Sequence, residues 1–329
     1  MIEEFAIDPE CFADSEIFHI LRECGFSKGR VVCEFPRKHW GASIRDLLRS
    51  RNISEIEQSR IVALLEKLKL QDKAIVRRIS TGNELEMSWL GKACVEHGKH
   101  PFKGILSTSN PESKAFVIEL SKAWEGGSAW SVKKSIKVPM SAPEFAKRIC
   151  PLLRYSETVR FIDSYMSATK EEALRGIGLA LKCAARNRSI GDRLKVEIHL
   201  RFEVARRFKD ANKESDKKAQ EVERQARIEC EFNNLVAKAE KFSVFPDGTD
   251  VTFIAWPELI TDEMKFHNRH VLTERGGITF GSSLDVGGKI DQAHLLEEDD
   301  HEFFWRSFTA PDRIPCAESK VLRKYSFKV

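Results

Sequence analysis

Near its C-terminal end the chain reads His-Asn-Arg-His-Val-Leu-Thr-Glu-Arg-Gly-Gly-Ile-Thr-Phe-Gly-Ser-Ser-Leu-Asp over residues 267–285. His267 and Arg269 are two apart, and on a β-strand residues at that spacing point to one face, so both can meet the same phosphate. An imidazole so placed can attack phosphorus, a guanidinium can neutralise nonbridging oxygens, and Ser282 can donate to one of them. Glu274 would orient or charge-stabilise the histidine, as the third member of a catalytic triad does. The candidate catalytic set is therefore His267, Arg269, Glu274 and Ser282.

These residues need a strand, and the sequence around them supplies one. "RHVLTERGGITF" reads as a β-hairpin turning at Gly276-Gly277. Upstream, "TVRFIDSYM" reads as a strand, "TKEEALRGIGLALKCAARN" as a helix with Thr169 at its N-cap, and "LKVEIHLRF" as a second strand. A long helix follows, with Ile228, Phe232, Leu235, Ala239 and Phe242 on one stripe, and "TDVTFIAW" is a third strand. Strands alternating with helices imply right-handed βαβ units and a largely parallel sheet.

With those elements in place, H-x-R-x4-E-x6-G-S resembles the phospholipase D superfamily motif, H-x-K-x4-D followed about seven residues later by Gly-Ser. The ending "FHNRHVLTERGGITFGSSLD" is similar to the degenerate phospholipase D-like domain at the C-terminus of MIT-domain proteins, and "VRFIDSYM" resembles that group's early strand. The resemblance covers roughly residues 145 to 290. It implies metal-independent phosphodiester chemistry without a cofactor, or a non-catalytic module that holds an anionic lipid or a protein partner. Phospholipase D-like folds also occur in microbial defence against foreign DNA. The pattern departs at two places, Arg269 for lysine and Glu274 for aspartate. Active members join two motif copies and this chain has one, so a site would form across a homodimer that brings two copies of His267 together. "HGKHPFKG" offers His97 and Lys99 as H-x-K, but Gly104 stands where the carboxylate belongs, and the match is read as chance.

The expected fold class is α/β, with a phospholipase D-like sheet flanked by helices over 141–329 and a mixed α/β domain over 1–140. At 329 residues the chain exceeds the usual single domain, which agrees with that division. "WEGGSAWSVKKSIKVPMSAPE" lacks a helical period, which sets the boundary near residue 140. In the first part "ISEIEQSRIVALLEKLKL" aligns Ile56, Ile61, Leu64, Leu65 and Leu68 on one stripe, while "KAIVRRIS" and "FKGILST" read as short strands. This part has no assigned role beyond a possible protein partner or completion of the dimer.

A net charge of +4 indicates no partner by itself, but the charge is clustered. Residues 182 to 213 hold ten Lys and Arg side chains, among them Arg186, Arg188, Arg206 and Arg207, which form a candidate nucleic-acid track. Aromatic partners for stacking bases are sparse there, so sequence-specific readout is not indicated. The acidic run over 297–302 reads as a solvated loop. Eight scattered cysteines without a C-x-x-C pair read as reduced thiols, neither zinc ligands nor a disulfide framework. No apolar run approaches the roughly 20 residues of a membrane-spanning helix, and "MIEEFAIDPE" lacks a secretory pattern, so a cytoplasmic location is expected.

Overall fold

In a computed structural model the chain divides into two compact units, Met1–Ser135 and Ile136–Val329. The structure describes residues 1–51, 53–78, 87–164, 166, 171–185, 193–201, 226, 229–240, 245–256, 269–281, 284, 288–309 and 323–328. The division precedes residue 140 because the strand β6 (Ser135–Pro139) joins the second sheet.

The first unit is α/β with a five-stranded sheet, formed by β1 (Glu3–Ile7), β2 (Arg30–Glu34), β3 (Ile75–Arg77), β4 (Gly104–Ser107) and β5 (Val117–Glu119). The strand order is β3-β2-β1-β4-β5, and every pairing is parallel. Helices α1 (Ile17–Arg22), α2 (Trp40–Ser50), α3 (Glu55–Leu70) and α4 (Trp89–Lys99) connect the strands. A parallel sheet must bury both faces, and β1 accordingly presents Phe5, Ala6 and Ile7 fully buried. Trp40 closes one end, its indole N–H donating to the Ile7 carbonyl at 2.7 Å. Helix α3 starts at a capping box in which Ser54 and Glu57 satisfy each other's backbone N–H groups. It buries Ile61 and Leu68, but Ile56 is not on that stripe: it is 70% exposed. The chance reading of His97 and Lys99 places them on α4, where the His97 ring stacks on Phe116 at 3.8 Å.

The second unit is built on an eight-stranded sheet. Its members are β6, β7 (Thr158–Asp163), β8 (Leu194–Arg201), β9 (Thr249–Trp256), β10 (Arg269–Thr273), β11 (Gly276–Phe280), β12 (Ile290–Leu295) and β13 (Arg323–Lys328). The order is β13-β9-β8-β7-β10-β11-β12-β6. Among the described pairings β7, β8 and β9 run parallel, whereas β10, β11, β12 and β13 pair antiparallel, so the sheet is mixed rather than largely parallel. Helix α5 (Ala142–Arg154) precedes β7, α6 (Glu171–Ala185) crosses from β7 to β8, and a helical stretch α7 over 229–240 lies between β8 and β9. The proposed cap Thr169, with Ile228 and Phe242 of the later helical stripe, lies outside the described residues. The acidic run is not a loop. Glu298–Ser307 is a helix, α8, whose first turn carries Glu298, Asp299 and Asp300, where negative charge complements the helix dipole.

Helices α5 and α8 cover opposite faces of this sheet. Phe145 of α5 meets Phe280 of β11, whereas α8 lays Phe304 on His270 and holds the Thr273 carbonyl through His301 Nε2 at 2.8 Å. The hairpin turns at Glu274-Arg275, not at the glycines, since Thr273 pairs with Gly276 and Leu272 with Gly277. Gly277 is needed for packing: a Cβ there would lie 2.6 Å from Leu272 Cδ2 and 2.8 Å from Leu296 Cδ1. The expected result for Gly277→Ala is a loss of about 1–3 kcal/mol from overpacking, read as a lower urea midpoint. Gly98→Ala, whose Cβ would meet nothing within 4 Å in α4, serves as the control and loses no stability.

Candidate functional site

The site is set by the register of β10 against β7. Arg269 stands opposite Asp163, and Asp163 opposite Leu200 of β8, forming one row at the carboxyl edge of the parallel strands. That edge is where open α/β sheets place ligands. Arg269 Nη1 donates to the Gly281 carbonyl at 3.1 Å, and Asp163 Oδ2 accepts from the Leu284 N–H at 2.9 Å. The two ends of the Gly-Ser-Ser-Leu segment are thus tied to the row that contains Arg269. Gly281 itself sits where a Cβ would come within 2.9 Å of Asp291 Oδ1. His267 and Ser282 lie outside the described residues.

Glu274 has a different position. It lies in the hairpin turn, past the far end of β10 from Arg269, and its two oxygens accept from the backbone N–H groups of Glu157 and Thr158 at 3.0 Å each. It closes the start of β7, where the ladder with β10 has ended at Val159–Thr273. The structure therefore does not bring Glu274 to Arg269, and its expected partner His267 is outside the described residues. The four arginines of the expected nucleic-acid track, Arg186, Arg188, Arg206 and Arg207, are also outside them. Of the described part of that basic stretch, Lys182, Arg193 and Lys195 are exposed, but Arg201 is only 5% exposed and belongs to the interior of the sheet.

Beneath α8 the sheet carries a polar layer that the motif gave no reason to expect. Rows Leu272–Arg160–Glu197 and His270–Ile162–His199 share this face. Arg160 Nε donates to Glu197 Oε2 at 2.6 Å, and its guanidinium lies 3.8 Å from the Trp305 ring of α8. The Trp256 indole N–H, which can only donate, reaches His199 Nδ1 at 2.9 Å. The proton of His199 therefore resides on Nε2, 3.3 Å from Glu197 Oε2. Burial lowers the His199 pKa against the pull of Glu197, which agrees with a neutral ring. For Glu197 burial works toward a higher pKa, but the hydrogen bond from His199 Nε2 and the charge and hydrogen bond of Arg160 outweigh it and hold the carboxyl below its ordinary range. The alternation Glu197-x-His199-x-Arg201 was the available sequence signal, but it is equally that of a half-exposed strand. Only the central place of β8 in the sheet distinguishes the two.

His270 completes this layer differently. It is buried, neither ring nitrogen has a hydrogen-bond partner, and the ring lies 4.2 Å from Phe304. The Ser164 hydroxyl is likewise buried without a partner. Among the described residues no group of three or more His, Cys, Asp or Glu could hold a metal ion. No described helix is long and apolar enough to cross a membrane. The Cys150 and Cys183 sulfurs of α5 and α6 lie 2.6 Å apart, and burial pushes the Cys150 thiol up to about 12.

No protein-family model matches the chain, and no curated protein matches its sequence. One solved structure similar to it is described as "Structure of TrmBL2, an archaeal chromatin protein, shows a novel mode of DNA binding". The likeness has a TM-score of 0.25 and 11% identity over 84% of this chain and 80% of that one. At that TM-score it decides neither fold nor function.

The unpartnered imidazole yields a pH prediction. Burial depresses the His270 pKa to about 3, whereas an unfolded histidine titrates near 6.5. Below 6.5 the unfolded chain takes up a proton that the folded chain refuses, so stability falls as pH drops from about 6.5 toward 3. His270→Leu is expected to raise stability at pH 7.5 by about 1–2 kcal/mol, because it removes two unsatisfied buried nitrogens. It should also flatten the loss between pH 6.5 and 5, and urea midpoints at these pH values measure both effects.

Proposed function

We propose that residues 136–329 form a phospholipase D-like module that binds phosphodiester groups of nucleic acid at the carboxyl edge of β7, with Arg269 as the cation that meets nonbridging oxygens. The observation that carries this reading is the pair of ties from Arg269 to Gly281 and from Asp163 to Leu284, which gathers separate parts of the motif at one sheet edge. The β-α-β-α-β order followed by an antiparallel motif strand supports it as well. Binding is favoured over hydrolysis because both oxygens of Glu274 are engaged by backbone N–H groups at the other end of β10. The basic stretch favours nucleic acid over lipid.

The test uses the purified full chain with labelled single- and double-stranded DNA and RNA, with and without EDTA. Arg269→Gln should weaken binding at least tenfold while costing only about 0.5–1.5 kcal/mol of stability for the lost bond to the Gly281 carbonyl. Glu274→Gln should do the reverse, costing about 1–3 kcal/mol of stability as the charge-assisted acceptor is lost, with affinity retained by the folded fraction. Equal affinity of Arg269→Gln and the parent would defeat the assignment. Cleavage in EDTA that is abolished by His267→Ala would replace binding with hydrolysis.

The basic track is tested separately through salt. Log affinity against log salt has a slope of about 0.7 to 0.9 per phosphate contacted. Neutralising Arg186, Arg188, Arg206 and Arg207 together should therefore lower the slope by roughly three units. An unchanged slope removes that stretch from the interface, whereas His267→Ala should leave the slope nearly untouched.

A further inference from the structure

Helix α3 of the first unit is apolar on two sides. Its inner side buries Ile61 and Leu68, with Leu64 and Leu65 packed against the same core. On the opposite side Ile56 and Leu70 are 70% and 68% exposed, and Ala63 between them is also exposed. Residues 56, 63 and 70 are seven apart, and two helical turns bring such positions back to one line with only about 20° of drift per step. Ser59 and Ala63 are small, and together with Glu55, Ile56 and Arg60 they line a shallow open groove along this outer side. Single exposed apolar residues are ordinary on protein surfaces, but a line of them along a groove of small residues has the form of a helix-packing face.

The charges on α3 select the occupant. Its first turn carries Glu55 and Glu57, and its last turn Lys67 and Lys69. A parallel copy would place acid on acid and base on base. An antiparallel copy places each acidic turn against a basic one and also opposes the two helix dipoles. Position 63 is midway between 56 and 70. A twofold axis at Ala63 therefore sets Ile56 beside Leu70 of the partner subunit at both ends, with the small residue at the centre where the backbones approach most closely. Such an isologous contact is the usual geometry of a homodimer. We propose that α3 is a self-association surface on which a second copy of this chain packs its own α3 antiparallel. The surface is independent of the phosphodiester site, and the inference does not rest on the reading of that site.

The test is sedimentation velocity of the full chain over a concentration series, with Cys230→Ser removing an exposed thiol. Dimer is expected for the parent. Ile56→Asp with Leu70→Asp should raise the dissociation constant at least tenfold while leaving the far-ultraviolet circular dichroism spectrum of the folded chain unchanged, because neither side chain belongs to the core. Reversing Lys67 and Lys69 to Glu should weaken the dimer, and adding Glu55→Lys, which leaves the Ser54–Glu57 capping box intact, should restore part of it. Under glutathione disulfide, Ala63→Cys should cross-link to its own copy on a non-reducing gel. Lys69→Cys should not, because in the antiparallel pair two copies of position 69 lie about 18 Å apart along the axis, at 1.5 Å per residue. A chain that stays monomeric at the highest concentration, a dimer indifferent to the aspartate pair, or cross-linking at position 69 in place of 63 each overturns the proposal.

Discussion

The second unit turns on a buried carboxyl group, that of Asp163. Asp163 is fully buried at the end of β7, and a buried charge without partners would cost several kcal/mol. Its hydrogen bond from the Leu284 N–H brings the segment after β11 back across the edge of the sheet. Asp163 also stands opposite Arg269 in the ladder, so the same residue that closes the segment sets the row in which the guanidinium lies. Arg269 then holds the Gly281 carbonyl, at a position where a Cβ would meet the Asp291 carboxylate at 2.9 Å. The spacing of the motif is therefore a folding requirement before it is a chemical one: β10, its hairpin partner and the return segment need that many residues to reach Asp163.

The opposite face obeys a related constraint with a different outcome. Arg160, Glu197, His199 and Trp256 form a chain in which each link has a donor matched to an acceptor, so a charged pair and a neutral imidazole can be kept beneath α8. The indole at one end fixes the tautomer, and Glu197, sharing its oxygen between histidine and arginine, stays ionised. His270 lies on the same face, one strand beyond Ile162, without such a partner. Two histidines in one layer thus make opposite contributions, decided by whether an indole and a carboxylate are within reach.

What was legible in the sequence follows from the range of the interactions involved. β7, α6, β8 and β9 were readable because each shows its own period of two or 3.6, and the hairpin because its halves adjoin in sequence. The first sheet was only partly readable. β3 and β5 have three residues each, too few to show alternation, and their parallel partners lie far off in the chain. Gly276-Gly277 suggested a turn because glycine usually marks one, but the demand at Gly277 comes from Leu296, a contact across the sheet that no local pattern reveals. The charges of 297–302 suggested solvent, and they are indeed placed toward it, but Phe304 near the end of α8 and Phe308 just after it dock the helix on the sheet. Ile56 joined the expected stripe because periodicity gives a face and not its neighbours.

The two departures of the motif from the pattern it resembles have physical explanations in these contacts. An aspartate at 274 would draw its oxygens back by about one C–C bond, roughly 1.5 Å, and could not bridge the N–H groups of both Glu157 and Thr158 from the turn. The extra methylene of Glu274 suits an acceptor that spans two successive backbone donors at a strand start, where the ladder with β10 has ended. At 269 an ammonium is a compact point charge, whereas a guanidinium presents five donors in a fixed plane. One of its nitrogens can hold the Gly281 carbonyl and fix the plane, so that the orientation of the remaining edge is set by the fold. Together the substitutions exchange a carboxylate that could serve a histidine for one that serves the sheet, and a mobile cation for an oriented one.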